Sequence, residues 1–142
     1  MSLIFSSPQD AETAFYDAFQ NGNIEAMMSI WSNDEDIICI HPNSPRLQGR
    51  ELIQESWLQI FASEVEVRFE IADAQYIQDA LLSIHIVHEY LYINGDRRRR
   101  PPVIATNVYQ LTSKGWRMIL HHASPSPGMR AQNDPNAPVI LH

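Results

Sequence analysis

The stretch Val103–Ser124, VIATNVYQLTSKGWRMILHHAS, decides the fold. Two runs rich in β-branched and aromatic residues flank Thr112-Ser113-Lys114-Gly115, the composition of an antiparallel hairpin closed by a short turn. Period-two alternation puts Val103, Ala105, Asn107, Tyr109 and Leu111 on one face of the first run. The same rule puts Trp116, Met118, Leu120, His122 and Ser124 on one face of the second, with His121 turned the other way. Each apolar face then holds one polar group, Asn107 or His122. A buried amide or imidazole requires a partner, so the pair marks either a satisfied core network or a ligand pocket.

Working outward, Leu81–Ile93 reads as a long strand. Its more apolar face, Leu82, Ile84, Ile86, His88, Tyr90 and Tyr92, is expected to point inward. Ser83, His85, Val87 and Glu89 are then expected outward, on a surface available for pairing subunits. Asn94-Gly95-Asp96 is a turn, and Arg97–Arg100 follows it as either a solvated face or an anion clamp at a pocket mouth. Further upstream, Val65, Val67, Phe69 and Ile71 alternate with Glu64, Glu66, Arg68 and Glu70, a half-buried strand.

Before residue 64 the period is helical. Ser7-Pro8-Gln9-Asp10 is a helix start, and Ala11, Ala14, Phe15, Ala18 and Phe19 form its apolar stripe up to Asn21-Gly22. Asn23 caps a second helix that buries Ile24, Met27, Met28, Ile30 and Trp31. Asp36–His41 is a short buried strand closed by Pro42, and a loop with an extended piece at Arg46–Gln48 leads to a third helix over residues 50–61. This order gives an α+β fold: a curved antiparallel sheet packed on three N-terminal helices, a cone with its mouth at one end.

Composition narrows the function classes. The 142 residues make one domain, residues 1–124, with a Pro-rich tail at 125–142 ending in Val139-Ile140-Leu141. A net charge of −7 argues against nucleic acid as a partner. The single cysteine, Cys39, sits in an apolar run and reads as an inert core thiol. The N-terminal MSLIFSSPQD lacks a basic start and a long apolar core, and no stretch approaches the roughly 18 apolar residues of a membrane span. A cytoplasmic protein is expected.

Particular residues carry a family resemblance. They are Ala18-Phe19-Gln20-Asn21-Gly22-Asn23 with Met27–Trp31, Asp36–Pro42, Gly49-Arg50-Glu51, and Gly115-Trp116-Arg117 through His121-His122-Ala123-Ser124. Over roughly residues 8–124 the chain resembles the nuclear transport factor 2-like superfamily, with its cystatin-like fold, and within it the SnoaL-like group and ketosteroid isomerase. The resemblance implies a homodimer formed through the sheet. It places His41-Pro42 where the isomerase has the Asp-Pro whose aspartate shuttles a proton. It places Asn107 where the isomerase has the protonated aspartate of its oxyanion hole. Phe15 falls at the isomerase's catalytic tyrosine, with Tyr16 one place along.

The candidate site follows. His41, whose unperturbed pKa is about 6.5, is the general base; Asn107 is the oxyanion donor; His122 holds or protonates substrate. Tyr16, Trp31, Trp57 and His88 wall the pocket, and Asp36 or Glu89 orients a histidine. Convergence of His41, His88 and His122 would suit zinc. No H-E-x-x-H spacing supports it, so neither metal nor cofactor is expected. The function expected is cofactor-free acid–base chemistry, of isomerase, cyclase or dehydratase type, on a small hydrophobic carbonyl compound. The alternative is a non-catalytic ligand-binding or dimeric scaffold module.

Overall fold

A computed structural model describes residues 4–127 of the chain. Helix α1 spans Pro8–Asn21; Ser7 Oγ caps it by accepting from the Asp10 N–H at 3.0 Å. Gly22, in the left-handed region at φ 61°, closes it. Helix α2 (Ile24–Ile30) begins at Asn23, whose Oδ1 accepts from Ala26 N–H at 3.1 Å. Strands β1 (Ile38–Ile40) and β2 (Arg46–Gln48) precede α3 (Arg50–Ala62). The chain then runs back and forth as β3 (Val67–Gln78), β4 (Leu82–Ile93), β5 (Val103–Thr112) and β6 (Gly115–Pro125).

All strands join one curved, open six-stranded sheet in the order β2-β1-β6-β5-β4-β3. The expected sheet was wholly antiparallel. Instead β1 pairs with β6 in the parallel sense, which the long connection through α3 and four strands allows. The helices lie against one face of this sheet, so the α+β cone stands.

Two irregularities decide which side chains enter the cone. In β6, Val108 pairs with Leu120 but Tyr109 pairs with Met118, so Ile119 is an extra residue without a cross-strand partner. A bulge of one residue reverses every side chain beyond it. Trp116 and Met118 are therefore inside together with His121 and Ala123, whereas His122 is exposed. The expectation that His122 faces the pocket and His121 faces out is overturned. In β3 a second bulge lies between Ala72 and Gln75, and it turns Tyr76 inward opposite His85.

Strand β4 is also inverted relative to expectation. Ser83, His85, Val87 and Glu89 are the buried residues, and Ile84, Ile86, His88 and Tyr90 line the outer face, half-buried. The polar side can be buried because α1 brings Tyr16 to Glu89 as a hydrogen-bonding partner and Glu12 to within 3.0 Å of His85. Those four residues are thus unavailable for pairing subunits. The outer face instead carries an apolar row that crosses five strands in register: Ile38, Leu120, Val108, Ile84 and Ile77.

The hollow expected inside the cone is filled by rings. Phe15 and Phe19 of α1 contact Trp57 of α3 at centroid distances of 5.7 and 4.8 Å. Phe19 reaches Phe69 of β3 at 4.5 Å, and Tyr16 lies 5.5 Å from the same ring. These edge-to-face and tilted contacts make a continuous wall from α3 to β3. Space remains on either side of it, as two separate clefts.

Arg50 fastens α2 to α3. Its guanidinium donates to the carbonyls of Met28, Trp31 and Ser32 at 3.0, 3.2 and 2.9 Å, which satisfies acceptors that a helix C-terminus leaves open. The Arg97–Arg100 run lies on the outer side, away from both clefts. Arg98 and Arg100 pair with Asp96, and Arg99 stacks 3.9 Å above the Tyr90 ring while meeting Glu70 at 3.5 Å. Arg97 lines a separate outer cleft of about 670 Å³ with Arg68, Tyr92, Gly95 and Asp96, so the run does not stand at the mouth of either inner cleft. The tail from residue 128, with Val139-Ile140-Leu141, lies outside the described residues. No helix among the described residues is long and apolar enough to cross a membrane.

Candidate functional site

The first cleft, of about 340 Å³, opens between α1 and β3. Gln9, Glu12, Thr13, Tyr16, Asp17 and Gln20 of α1 line it, facing Phe69, Ile71 and Tyr76 of β3. Glu12 and Tyr16 are one helical turn apart, so the 3.6-residue repeat places both on the flank of the apolar stripe. Period-two alternation then delivers Asn107 and Tyr109 from β5, and His85 and Glu89 from β4, to the same spot.

These groups form one hydrogen-bonded network beneath the cleft. Tyr16 Oη donates to Glu89 Oε2 at 2.5 Å and accepts from Asn107 Nδ2 at 3.0 Å. Asn107 Nδ2 also donates to Glu12 Oε2 at 3.2 Å, and the Tyr109 hydroxyl donates to the same oxygen at 3.1 Å. His85 Nδ1 is 3.0 Å from that oxygen but off the line of a hydrogen bond. Asn107 Oδ1 receives His121 Nδ1 at 2.6 Å, so the hydrogen on His121 sits at Nδ1. Asn107 has then used both amide hydrogens and its oxygen. It is the hub of the network and is wholly buried.

Glu12 is the group that faces outward from this network. Every contact its carboxylate makes among the described residues goes to Oε2, which leaves Oε1 for whatever enters the cleft. Glu89 is sealed deeper, at 3 % exposure, behind Tyr16. Burial pushes its carboxyl up to about 7 against the pull of the Tyr16 hydrogen bond, and the neighbouring Glu12 charge adds to the rise. Burial and the Glu89 charge together hold the Tyr16 hydroxyl well above the usual phenol range. His121, wholly buried, is driven down to about 3 and is neutral.

The second cleft, of about 560 Å³, lies on the α3 side of the aromatic wall. His41, Ser56, Glu55 and Gln59 line it with Leu47, Leu52 and Ile60. His41 Nε2 is 3.0 Å from Ser56 Oγ, whose own hydrogen goes to Ile53 O at 2.7 Å; His41 therefore donates from Nε2. Burial lowers its pKa, so this imidazole is neutral at pH 7. Cys39 beside it is buried, and its thiol is pushed up to about 12 by desolvation, which keeps it inert.

The sequence-derived residues therefore do not form one site. Tyr16 and Asn107 meet directly. His41 does not touch them; its ring lies 6.5 Å from that of His121 and 4.8 Å from that of Trp57, which stand between. Trp57 is part of the wall between the clefts, and Trp31 is buried where α2 ends against Met118 of β6. His88 faces outward with its Nδ1 3.1 Å from Asp73, and His122 is exposed. His41, His88 and His122 thus lie in three different places. Glu12, His85, Tyr109 and His121 join the network without having been picked from the sequence. Glu12 had a readable signal, since it sits one turn before Tyr16.

Comparison with known proteins places this geometry. The sequence profile of the SnoaL-like domain matches residues 9–128. The chain belongs to the SnoaL-like domain family. A Thiobacillus denitrificans structure, provisionally named a calcium/calmodulin-dependent protein kinase type II association domain, is 38% identical, with a TM-score of 0.84 over 88% of this chain and 99% of that one. A nuclear transport factor 2-like protein from Streptomyces avermitilis, provisionally named a dehydratase, is 30% identical, with a TM-score of 0.73 over 83% and 92%. A Caulobacter vibrioides protein with a cystatin-like fold, at 18% identity and a TM-score of 0.71 over 89% and 92%, shares the fold alone. The F-box protein SKIP8 of Arabidopsis thaliana is 24% identical over 112 residues, which make 79% of this chain and 46% of that protein; the chain spans just under half of it.

Proposed function

We propose that this SnoaL-like domain takes a small carbonyl compound into the cleft between α1 and β3 and moves a proton on it, as isomerases and dehydratases do. The observation that carries this reading is the juxtaposition of a carboxylate oxygen without a partner among the described residues, Glu12 Oε1, with the Tyr16–Glu89 pair 2.5 Å apart. A base and an acid then flank one small space, and both are side chains, so the chemistry needs no cofactor. Glu12 Oε1 removes the proton beside the carbonyl, and the electron pair of the broken C–H bond moves onto oxygen. When Glu89 is protonated its O–H donates to Tyr16 Oη, which releases the phenol hydrogen to that oxygen, and the Glu89 proton then replaces it on the phenol. Return of the proton from Glu12 to a different carbon isomerises the compound; its transfer to a β-hydroxyl instead lets that group leave as water as the carbonyl re-forms, which dehydrates it. The dehydratase name of the 30% identical Streptomyces protein agrees with this class of reaction.

Exchange of α-protons for deuterium in acetone, cyclohexanone and β-tetralone, followed by NMR, tests the reading. Glu12→Gln and Tyr16→Phe should each lower the catalysed rate by about 10²–10⁴-fold, with His41→Ala near wild type. Wild-type exchange no faster than buffer would end the proposal. A loss with His41→Ala alone would move the base to the second cleft.

A second reading, assembly, rests on the outer apolar row Ile38, Leu120, Val108, Ile84 and Ile77. Such a row suits a second copy of the chain laid sheet to sheet. The association-domain name of the 38% identical Thiobacillus protein supports it. The two readings are compatible, since they use opposite faces of the sheet.

A further inference from the structure

We propose that the compound bound between α1 and β3 carries a positively charged ammonium group. The proposal rests on the same cleft as the reading above but not on its chemistry. Three observations point to it. The first is the charge on the walls: Glu12 and Asp17 line the cleft, and no lysine or arginine among the described residues does. The chain's longest basic run, Arg97–Arg100, is on the opposite side of the sheet, where Arg98 and Arg100 are engaged with Asp96 and Arg99 with Glu70.

The second is burial. Glu12 is 7 % exposed and its Oε1 has no partner among the described residues, while the only nitrogen base near its carboxylate is His85. Two donors already reach Oε2, but a carboxylate so little exposed is poorly screened, so its charge attracts a cation in the cleft strongly. An ammonium entering the cleft beside Asp17 meets the field of both acids and leaves Oε1 to the proton transfer.

The third observation is the kind of wall that faces the acids. Tyr16, Phe69 and Tyr76 contribute aromatic rings to this one small space, and Tyr76 is half exposed, packed against the buried His85 ring at 4.5 Å. Ring faces attract ammonium groups through their quadrupole, and several rings beside a carboxylate recognise an alkylammonium far better than its neutral counterpart. The same walls repel a carboxylate or a phosphate. Gln9, Thr13 and Gln20 also line the cleft and give the rest of the compound polar neighbours.

The experiment is a matched-pair titration of the intact protein. Choline is compared with its carbon isostere, in which a tert-butyl group replaces the trimethylammonium, so that shape is held and charge removed. Ammonium, tetramethylammonium and benzylammonium complete the set. Binding is read from the NMR shifts of the Tyr16, Phe69 and Tyr76 ring protons. At least one cation should bind at millimolar concentration or better, choline at least about tenfold more tightly than its isostere, with the shifts confined to those rings. Asp17→Asn and Tyr76→Ala, both at exposed positions, should each weaken the cation several-fold and leave the isostere unchanged.

Equal binding of choline and isostere, shifts elsewhere, or no binding of any cation would overturn the proposal. The two readings of the cleft fail separately. Ketone exchange that depends on Glu12 without any preference for cations sinks this inference and leaves the proton transfer. A clear preference for cations without ketone exchange does the reverse.

Discussion

Glu89 is the residue whose environment asks for the sharpest test. Its carboxyl is pushed up to about 7 chiefly by burial, against about 4.5 for the free side chain. The folded protein therefore holds this proton more tightly than the unfolded chain. The stability it contributes is complete below about pH 4.5 and is lost as pH rises to about 7. Denaturant midpoints measured from pH 4.5 to 8 should fall across that window by at most about 3 kcal/mol in stability. Glu89→Gln, which keeps the shape and cannot ionise, should flatten the fall. An unchanged slope in the variant would assign the titration to another group. Asn107 shows why the site was only half readable at this scale. Its position among apolar neighbours marked it as a group in need of partners, but alternation along one strand cannot tell which residues from other elements will supply them.

Among the elements, the helix pair and β6 teach opposite lessons. The α2–α3 connection is legible: Gly49-Arg50-Glu51 announces a helix start, and the structure uses Arg50 to close the end of α2 through three carbonyls. Arg50→Ala leaves those acceptors without their charged donor and should cost about 2–3 kcal/mol in chemical denaturation. A loss below about 0.5 kcal/mol would mean that water replaces the guanidinium at no penalty. In β6 the strand was legible and its facing was not. Ile119 is an ordinary β-former, and nothing in Arg117-Met118-Ile119-Leu120 reveals that one residue will be left without a partner. The bulge forms so that Met118 and Trp116 stay with the core on one side of it and His121 reaches Asn107 on the other. Strand β4 misleads for a related reason. Its greasier side looked like the inside, because burial was judged without knowing that α1 carries acids and a phenol to meet the polar side.

For the whole molecule, order of elements and hydrophobic period were enough to reach the cone, since both depend on local sequence. Division of the interior depends on which rings meet across the core, and that is set by tertiary contacts far apart in the chain. The outer row of apolar residues belongs to this scale as well. Light scattering should give twice the chain mass of 16.3 kDa, and Ile84→Glu with Val108→Glu should return the mass to that of one chain while near-native circular dichroism is kept. A single-chain mass for the wild type at working concentration would remove the assembly reading. Proton transfer would be untouched by that result, because its groups lie on the inner side.

The ring wall from Trp57 to Phe69 has a consequence for how this protein could be reshaped. A partition built from side chains is easily moved in a way that a backbone is not. Phe19 stands at its middle and touches the rings on both sides, so a smaller side chain there would thin the partition between the two chambers at its centre. A newcomer too large for either chamber has a single doorway to ask for.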